Sequence, residues 1–235
     1  QSSQKMFSKQ DLRNSISDMQ RPQVLDGLGN TVHSYRDKLG IPHIQALTQW
    51  DAFMAQGYIT AQDRLWQMEF DRRKGSGRWA EVVGIEAVAE DCQMRRFRLE
   101  YSAKSDYLAC DQITRGMLDA YSQGVNEFIK TGPLPIEYKI TDLHPEPWEP
   151  WDSLLVFKVR HILMGVFEAK AWRGRLLGKI DPDKLANMFP SYQPGQPVII
   201  PPGHSYTGNL ENCLEELLKA SSNLNYLHEL DSGSN

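Results

Sequence analysis

The chain has 235 residues and a formal net charge of −4 at pH 7, with 40% hydrophobic and 24% charged residues. This composition is ordinary for a globular protein, and the acidic balance provides no positive field for a nucleic-acid partner. No apolar run reaches the roughly 18 residues of a membrane-spanning helix, so no membrane span is expected.

The first third of the chain predicts a short helix, a hairpin and a long helix, in that order. Residues 1–30 are polar and predict the short helix followed by a loop. Residues 31–36 and 41–46 are β-branched and aromatic runs on either side of a turn, so they predict a β-hairpin. Thr48 is a candidate N-cap for the long helix, whose apolar face repeats at helical spacing. That face consists of Met54, Tyr58, Ala61, Leu65 and Met68.

The rest of the chain is predicted to be mostly helical. Helices are expected over residues 84–108 and 113–129, and residues 132–150 contain five prolines, which predicts an extended surface segment. Asp152 is then expected to cap a buried helix that runs through Phe167. A hairpin alone is marginally stable, so a sheet supplied by a partner would explain it best.

Cysteines and histidines give no metal site. The cysteines Cys92, Cys110 and Cys213 are isolated, and three buried thiols are predicted, although one disulfide remains an alternative. His144 and His161 lack metal-ligand spacing, which argues against zinc.

Charged residues on the long helix are predicted to be structural. The block comprises Asp63, Arg64, Arg72 and Arg73; Asp63 and Arg64 lie in the middle of the predicted helix, where an arginine usually packs its stem and pairs with a carboxylate. His43 is the most tempting general base, but it lies beside apolar residues on a predicted strand. We therefore expect a hydrogen-bonded core histidine, and a Ser-His-Asp site is rejected because no adjacent Asp completes it.

Five segments form an ordered series of motifs, and they include AQDRLWQM and PEPWEPWDSL. They lie at residues 31–46, 57–68, 72–81, 134–138 and 145–155. The series resembles the amino-terminal subunit of the penicillin acylase family, within the N-terminal nucleophile hydrolases. Several motifs in the right order make chance agreement unlikely. The resemblance implies an α+β fold, in which a mostly helical chain forms part of a four-layer αββα sandwich with a partner chain.

The resemblance also implies an activity and a maturation step. The family hydrolyses amides of N-acylated small molecules such as penicillins, cephalosporins and acyl-homoserine lactones, with no cofactor required for catalysis. Its precursor cuts itself at a Gly-Ser-Asn junction, which points to Gly233 and Ser234, with Ser234 as the nucleophile. Alternatively, the junction follows Asn235 and the nucleophile belongs to the partner, the β subunit. The resemblance assigns residues 1–203 to the α subunit and residues 204–235 to a possible spacer and the junction.

Further residues are assigned by the same resemblance. Leu163, Met164 and Phe167 either line an apolar acyl pocket or belong to the core, since both need the same side chains. The resemblance further implies a periplasmic or secreted protein.

Glu168 follows an apolar run, where a charge needs a partner. Pairing with Lys170 or Arg173 is the favoured interpretation, and a structural calcium ligand is the alternative.

Two other functions stay open. A helical scaffold or binding subunit could keep the fold without the chemistry, and the residue that begins the partner chain would decide. A free-standing helical module would fold alone, which the isolated hairpin argues against.

Overall fold

A computed structural model of the chain describes residues 8–19, 21–164, 172–174, 176 and 179–188. The chain divides into two compact units, Gln1–Arg160 and His161–Asn235. The described elements, in chain order, are α1 (Lys9–Asn14), β1 (His33–Arg36), β2 (Pro42–Gln45), α2 (Gln49–Ser76), α3 (Ala80–Val83), a 3-10 turn (Ile85–Ala87), α4 (Val88–Phe97), α5 (Leu99–Ala109), α6 (Gln112–Thr131), α7 (Ile136–Thr141), α8 (Pro150–Leu163) and α9 (Pro182–Met188).

The predicted hairpin is confirmed. Strands β1 and β2 pair antiparallel, and Ser34 lies opposite Ile44. Gly40 closes the turn with φ of +79°, a backbone conformation that glycine adopts without strain. The described part of the chain therefore contains a mostly helical fold with one two-stranded sheet, as the sequence predicts.

The predicted start of the long helix is also confirmed. Thr48 Oγ1 accepts the N–H of Asp51 at 3.1 Å, which is an N-cap hydrogen bond. The buried carboxylate of Asp51 in turn accepts the N–H of Gly29 at 2.8 Å and the side-chain amide of Asn30 at 2.9 Å. These hydrogen bonds lower the pKa of Asp51 and fix the loop before the hairpin to the first turn of α2.

The core forms where α2 packs against α6 so closely that the two helix backbones are in contact. A Cβ added to Gly57 would lie 2.0 Å from the carbonyl oxygen of Tyr121, and one added to Gly124 would lie 1.9 Å from that of Met54. Only glycine leaves room for such an approach. Buried side chains surround the contact, including Tyr58, Leu65, Met68, Val125, Phe128 and Trp148.

Two predicted elements are wrong. The single helix over residues 84–108 is broken at Arg98, which adopts φ of +54° and separates α4 from α5. Its guanidinium lies 4.2 Å from the ring centre of Tyr101, a local contact that a helix-periodicity argument does not detect. The proline-rich segment is not wholly extended, because α7 begins directly after Pro135 and ends at Thr141, and the next residue, Asp142, has φ of +58°.

The cysteine prediction also needs correction. Cys92 is exposed and Cys110 is half-buried, and both are free thiols, whereas Cys213 lies outside the described residues. On α4 the buried face carries polar side chains such as Asp91 and Gln93, so the intervening Cys92 faces solvent.

The start of α8 differs slightly from the prediction. Pro150 occupies the first helical position, and Asp152 lies in the first turn, where its Oδ2 accepts the N–H of Glu149 at 2.9 Å. The helix is described as far as Leu163, and Phe167 lies outside the described residues.

A pair of substitutions on α6 tests the backbone contact. Gly124→Ala inserts a methyl group against α2, and we expect it to lower the free energy of unfolding by about 1–3 kcal/mol. Gly116→Ala meets nothing within 4 Å, and removing a helical glycine there raises stability by up to about 1 kcal/mol. Urea unfolding followed by circular dichroism measures both, and equal effects would contradict the close approach.

Candidate functional site

The second half of α2 carries a buried group of charges. Arg73 Nε donates to Glu69 Oε1 at 2.6 Å, and Arg72 donates to the other carboxylate oxygen. All three side chains are almost completely buried. Their spacing along the helix places them on one face, so one carboxylate compensates two guanidinium groups.

Arg72 also holds the start of α8. Its Nη1 donates to the carbonyl oxygen of Pro147 at 2.8 Å and lies 3.4 Å from Asp152 Oδ2. The guanidinium lies 5.4 Å from the ring centre of Trp148. Burial raises the pKa of Asp152, and the facing guanidinium opposes that shift.

A half-exposed cluster continues this network toward solvent. Arg78 donates to both carboxylate oxygens of Glu146, at 2.6 and 2.9 Å, and to both oxygens of Glu81, each at 2.9 Å. Arg73 donates to Glu81 Oε2 at 2.5 Å, which connects the cluster to the buried charges. Hydrogen bonds from Arg78 lower the pKa of Glu146 to about 2.

Helices α3 and α4 are held by two further carboxylates. Lys74 Nζ donates to Glu90 at 2.5 Å, and both groups are buried. Asp91 accepts the N–H groups of Trp79 and Ala80 at 2.9 and 2.7 Å. Glu90 thus joins α4 to a buried charge on α2, and Asp91 joins α4 to the start of α3.

The structural interpretation is confirmed for Arg72, Arg73 and Asp63, whereas Arg64 donates to the neutral side chain of Gln67. Arg72 and Arg73 join elements that are distant in sequence, and Asp63 pairs with Arg36 of the hairpin at 2.7 Å. Arg64 departs from helical geometry, with φ of −142° and ψ of 21°, and kinks α2.

An open groove lies along α2, α6 and α8, with a volume of about 460 Å³. We call it the α2 groove. Its lining residues combine polar groups of α2 with apolar groups of α6 and α8; they are Phe53, Gln56, Thr60, Arg64, Gln67, Met68, Asp71, Met117, Leu118, Tyr121, Trp148, Ser153, Val156 and Arg160. This groove was not predicted from the sequence, although its polar residues recur every three or four positions along α2.

His43 differs from its prediction as a core residue. Residues of β2 alternate in exposure, and His43 lies on the outer face, where its side chain is 45% exposed. Its Nε2 lies 3.2 Å from Asp37 Oδ2, and its ring stacks on Tyr35 with centres 4.9 Å apart. The hydrogen bond from His43 lowers the pKa of Asp37. An acidic partner is therefore present, contrary to the sequence argument.

Only some of the residues assigned by resemblance lie among the described residues. Leu163 ends α8, and Met164 follows it with 73% of its surface exposed. Phe167, Glu168, Gly233 and Ser234 lie outside the described residues. In the described part of the chain, no group of three His, Cys, Asp or Glu side chains could hold a metal ion. None of the described helices is long and apolar enough to cross a membrane.

Comparisons with known proteins agree on one family. The family model described as penicillin amidase matches residues 31–235. Penicillin acylase 2 proenzyme of Pseudomonas sp. (strain SE83) is 46% identical over 150 residues, which make up 63% of this chain and 19% of that protein. Acyl-homoserine lactone acylase QuiP of Pseudomonas syringae pv. tomato is 33% identical over 171 residues, or 72% of this chain and 21% of that protein. The chain thus spans about a fifth of the length of these relatives.

A solved structure supports the same relationship. Thermostable penicillin G acylase from Alcaligenes faecalis aligns with a TM-score of 0.56 and 26% identity, covering 73% of this chain and 97% of that chain. The mostly helical architecture is therefore shared with an acylase chain of known structure.

The buried charges predict a large effect of one substitution. Glu69→Gln leaves two buried guanidinium groups with less compensation, and we expect a loss of about 3–5 kcal/mol in the free energy of unfolding. Glu100→Gln is the matched control, because Glu100 forms an exposed pair with Lys104 at 2.6 Å. Such surface pairs contribute little, so the control should barely move the urea midpoint. Similar losses for both variants would show that burial of Glu69 is unimportant.

The Arg78–Glu146 pair predicts a pH dependence. The folded-state pKa of Glu146, about 2, lies below the ordinary value of 4.5. The pair with Arg78 therefore stabilises the folded state at pH values above 4.5. That contribution disappears as the pH falls from 4.5 toward 2, when the carboxylate becomes protonated. At neutral pH the unsubstituted protein should therefore melt at a higher temperature than Glu146→Gln. The difference should be small because both groups are part-exposed, and the two melting temperatures should converge in acid. A difference independent of pH would contradict this assignment.

Proposed function

This chain belongs to the penicillin amidase family, and we propose that it is the amino-terminal subunit of a self-processing amidohydrolase. The substrate would be an N-acylated small molecule of the penicillin, cephalosporin or acyl-homoserine lactone kind. The observation that carries the proposal is the family match over residues 31–235, together with relatives named as penicillin and acyl-homoserine lactone acylases. The proposed assembly is a four-layer αββα sandwich completed by a β subunit from the same precursor.

The proposed reaction needs only a serine and its own amine. The hydroxyl of Ser234, once it begins a chain, attacks the amide carbon, and the free α-amine accepts its proton directly or through water. An α-amine titrates at about 7.7–8.0, so part of it is neutral near physiological pH. Collapse of the tetrahedral intermediate releases the amine product and leaves an acyl ester, which water then hydrolyses to the acid. An oxyanion hole on the partner would stabilise both intermediates.

The same hydroxyl would create the site. Attack of Ser234 on the carbonyl carbon of Gly233 converts the peptide bond into an ester, and hydrolysis of that ester separates the chains and frees the α-amine. Glycine before the serine permits the strained backbone that this attack requires. Residues 204–233 would then be a removable spacer.

The described residues would contribute position rather than chemistry. The buried charges hold the start of α8, and Leu163, Met164 and Phe167, at and beyond its end, are the proposed walls of the acyl pocket. No cofactor is proposed for catalysis. Pairing with Lys170 or Arg173 stays the favoured role for Glu168, and a ligand to a structural calcium ion is the alternative. Periplasmic or secreted location stays part of the proposal.

A scaffold subunit without chemistry is the alternative function. The described residues favour it in one respect only, namely that the charged clusters of Arg72, Arg73 and Arg78 all serve structural contacts. Its signature would be a partner chain that begins with a residue other than Ser, Thr or Cys.

Substitution at the junction tests the proposal. In the full precursor, Ser234→Ala should abolish both cleavage and release of acid from penicillin G or an acyl-homoserine lactone, whereas Ser232→Ala, two residues away, should leave both intact. Intact mass and amino-terminal sequencing report cleavage, and a colorimetric amine assay reports hydrolysis. If Ser234→Ala is cut after Asn235 and remains active, the nucleophile belongs to the partner chain. A protein that hydrolyses neither substrate and whose partner chain begins with a residue other than Ser, Thr or Cys would favour the scaffold.

A further inference from the structure

The α2 groove has the form of a protein-docking surface. Its polar edge follows α2 from Gln56 to Asp71, which is about 22 Å at 1.5 Å per residue. Met117 and Leu118 of α6 and Val156 of α8 provide an apolar wall along it. A groove this long and open matches a polypeptide segment better than a compact small molecule.

Phe157 follows Val156 on α8, and 62% of its surface is exposed. It adds one exposed aromatic side chain to the helix that provides part of the apolar wall.

The charges of the groove select the partner's chemistry. Arg64, Asp71 and Arg160 are its charged lining residues, and Arg160 Nη2 lies 2.9 Å from Asp71 Oδ2. Arg64 Nη1 instead donates to the neutral side-chain oxygen of Gln67 at 3.0 Å. No carboxylate of the described residues lies within ion-pair distance of Arg64, so the described lining of the groove carries a net charge of +1. A segment with apolar side chains and one carboxylate complements it.

We infer that the α2 groove is covered by a segment of the β subunit that places an Asp or Glu carboxylate on Arg64. This inference rests on the proposed function, which provides the second chain. The size of the proposed second chain supports the assignment, because the relatives are about five times as long as the part matched here. Arg64 thus anchors the subunit interface, and it takes no part in the hydrolytic reaction.

A photo-crosslinker in the groove tests the inference. Gln56→p-benzoylphenylalanine places the probe on an exposed lining position of the cut, active protein. After irradiation, mass spectrometry should find it joined to a β-subunit peptide that contains Asp or Glu. Leu108→p-benzoylphenylalanine, on exposed α5, gives the background yield.

The charge is tested by a second pair of variants. Arg64→Gln should raise the dissociation constant of the two chains about tenfold or more, as expected for removal of one partner of a buried charged pair. Arg64→Lys should retain most of the affinity, and Lys104→Gln, which removes an exposed charge, should leave it unchanged. Chain separation in graded urea, followed by size-exclusion chromatography, provides the comparison.

The outcomes separate this inference from the proposed function. A crosslink between two copies of this chain would overturn the inference about the α2 groove. The inference would also be overturned if no crosslink to the β subunit formed and a small organic carboxylate blocked the reaction of the probe. A cut and active enzyme with only background crosslinking from Gln56 would overturn the docking surface alone. An uncut and inactive precursor would contradict the proposed function itself.

Discussion

The structure depends on a single buried carboxylate, that of Glu69, which lies between Arg72 and Arg73. Charges excluded from water are tolerated only when each is compensated and hydrogen-bonded. Because Arg72 also binds the backbone at Pro147 and Arg73 binds Glu81, this carboxylate indirectly holds together three segments that are far apart in sequence. The position of the start of α8 follows from this arrangement.

Helix α2 combines two kinds of packing along its length. In its first half, Gly57 lets the backbone of α6 approach directly. In its second half, beyond the kink at Arg64, the buried ion pairs of Glu69 are added to the apolar packing of Leu65 and Met68. A straight helix of 28 residues would have to satisfy both sets of neighbours with one axis, whereas a kink allows the two halves to follow different partners.

Sequence reasoning succeeded where the signal is local. Thr48 before an apolar periodic run and Gly40 in a turn each act on their immediate neighbours, so both the helix start and the hairpin were predictable. The break at Arg98 was not, because arginine carries no turn signal, although this residue adopts a left-handed conformation with φ of +54°. His43 was placed in the core from its apolar neighbours in sequence, yet strand alternation put it outside beside Asp37. The α2 groove required knowledge of which helices pack together.

The hairpin has a consequence for how such a chain can be made. In the described residues, β1 and β2 pair only with each other, so each strand presents an open edge of N–H and C=O groups. An open edge is a template on which strands of other molecules can assemble, and it favours aggregation of a chain released alone. Synthesis as one polypeptide with the complementary strands would keep them at millimolar effective concentration until the sheet has formed. In the proposed maturation, cleavage after folding, rather than expression of separate chains, would protect this edge.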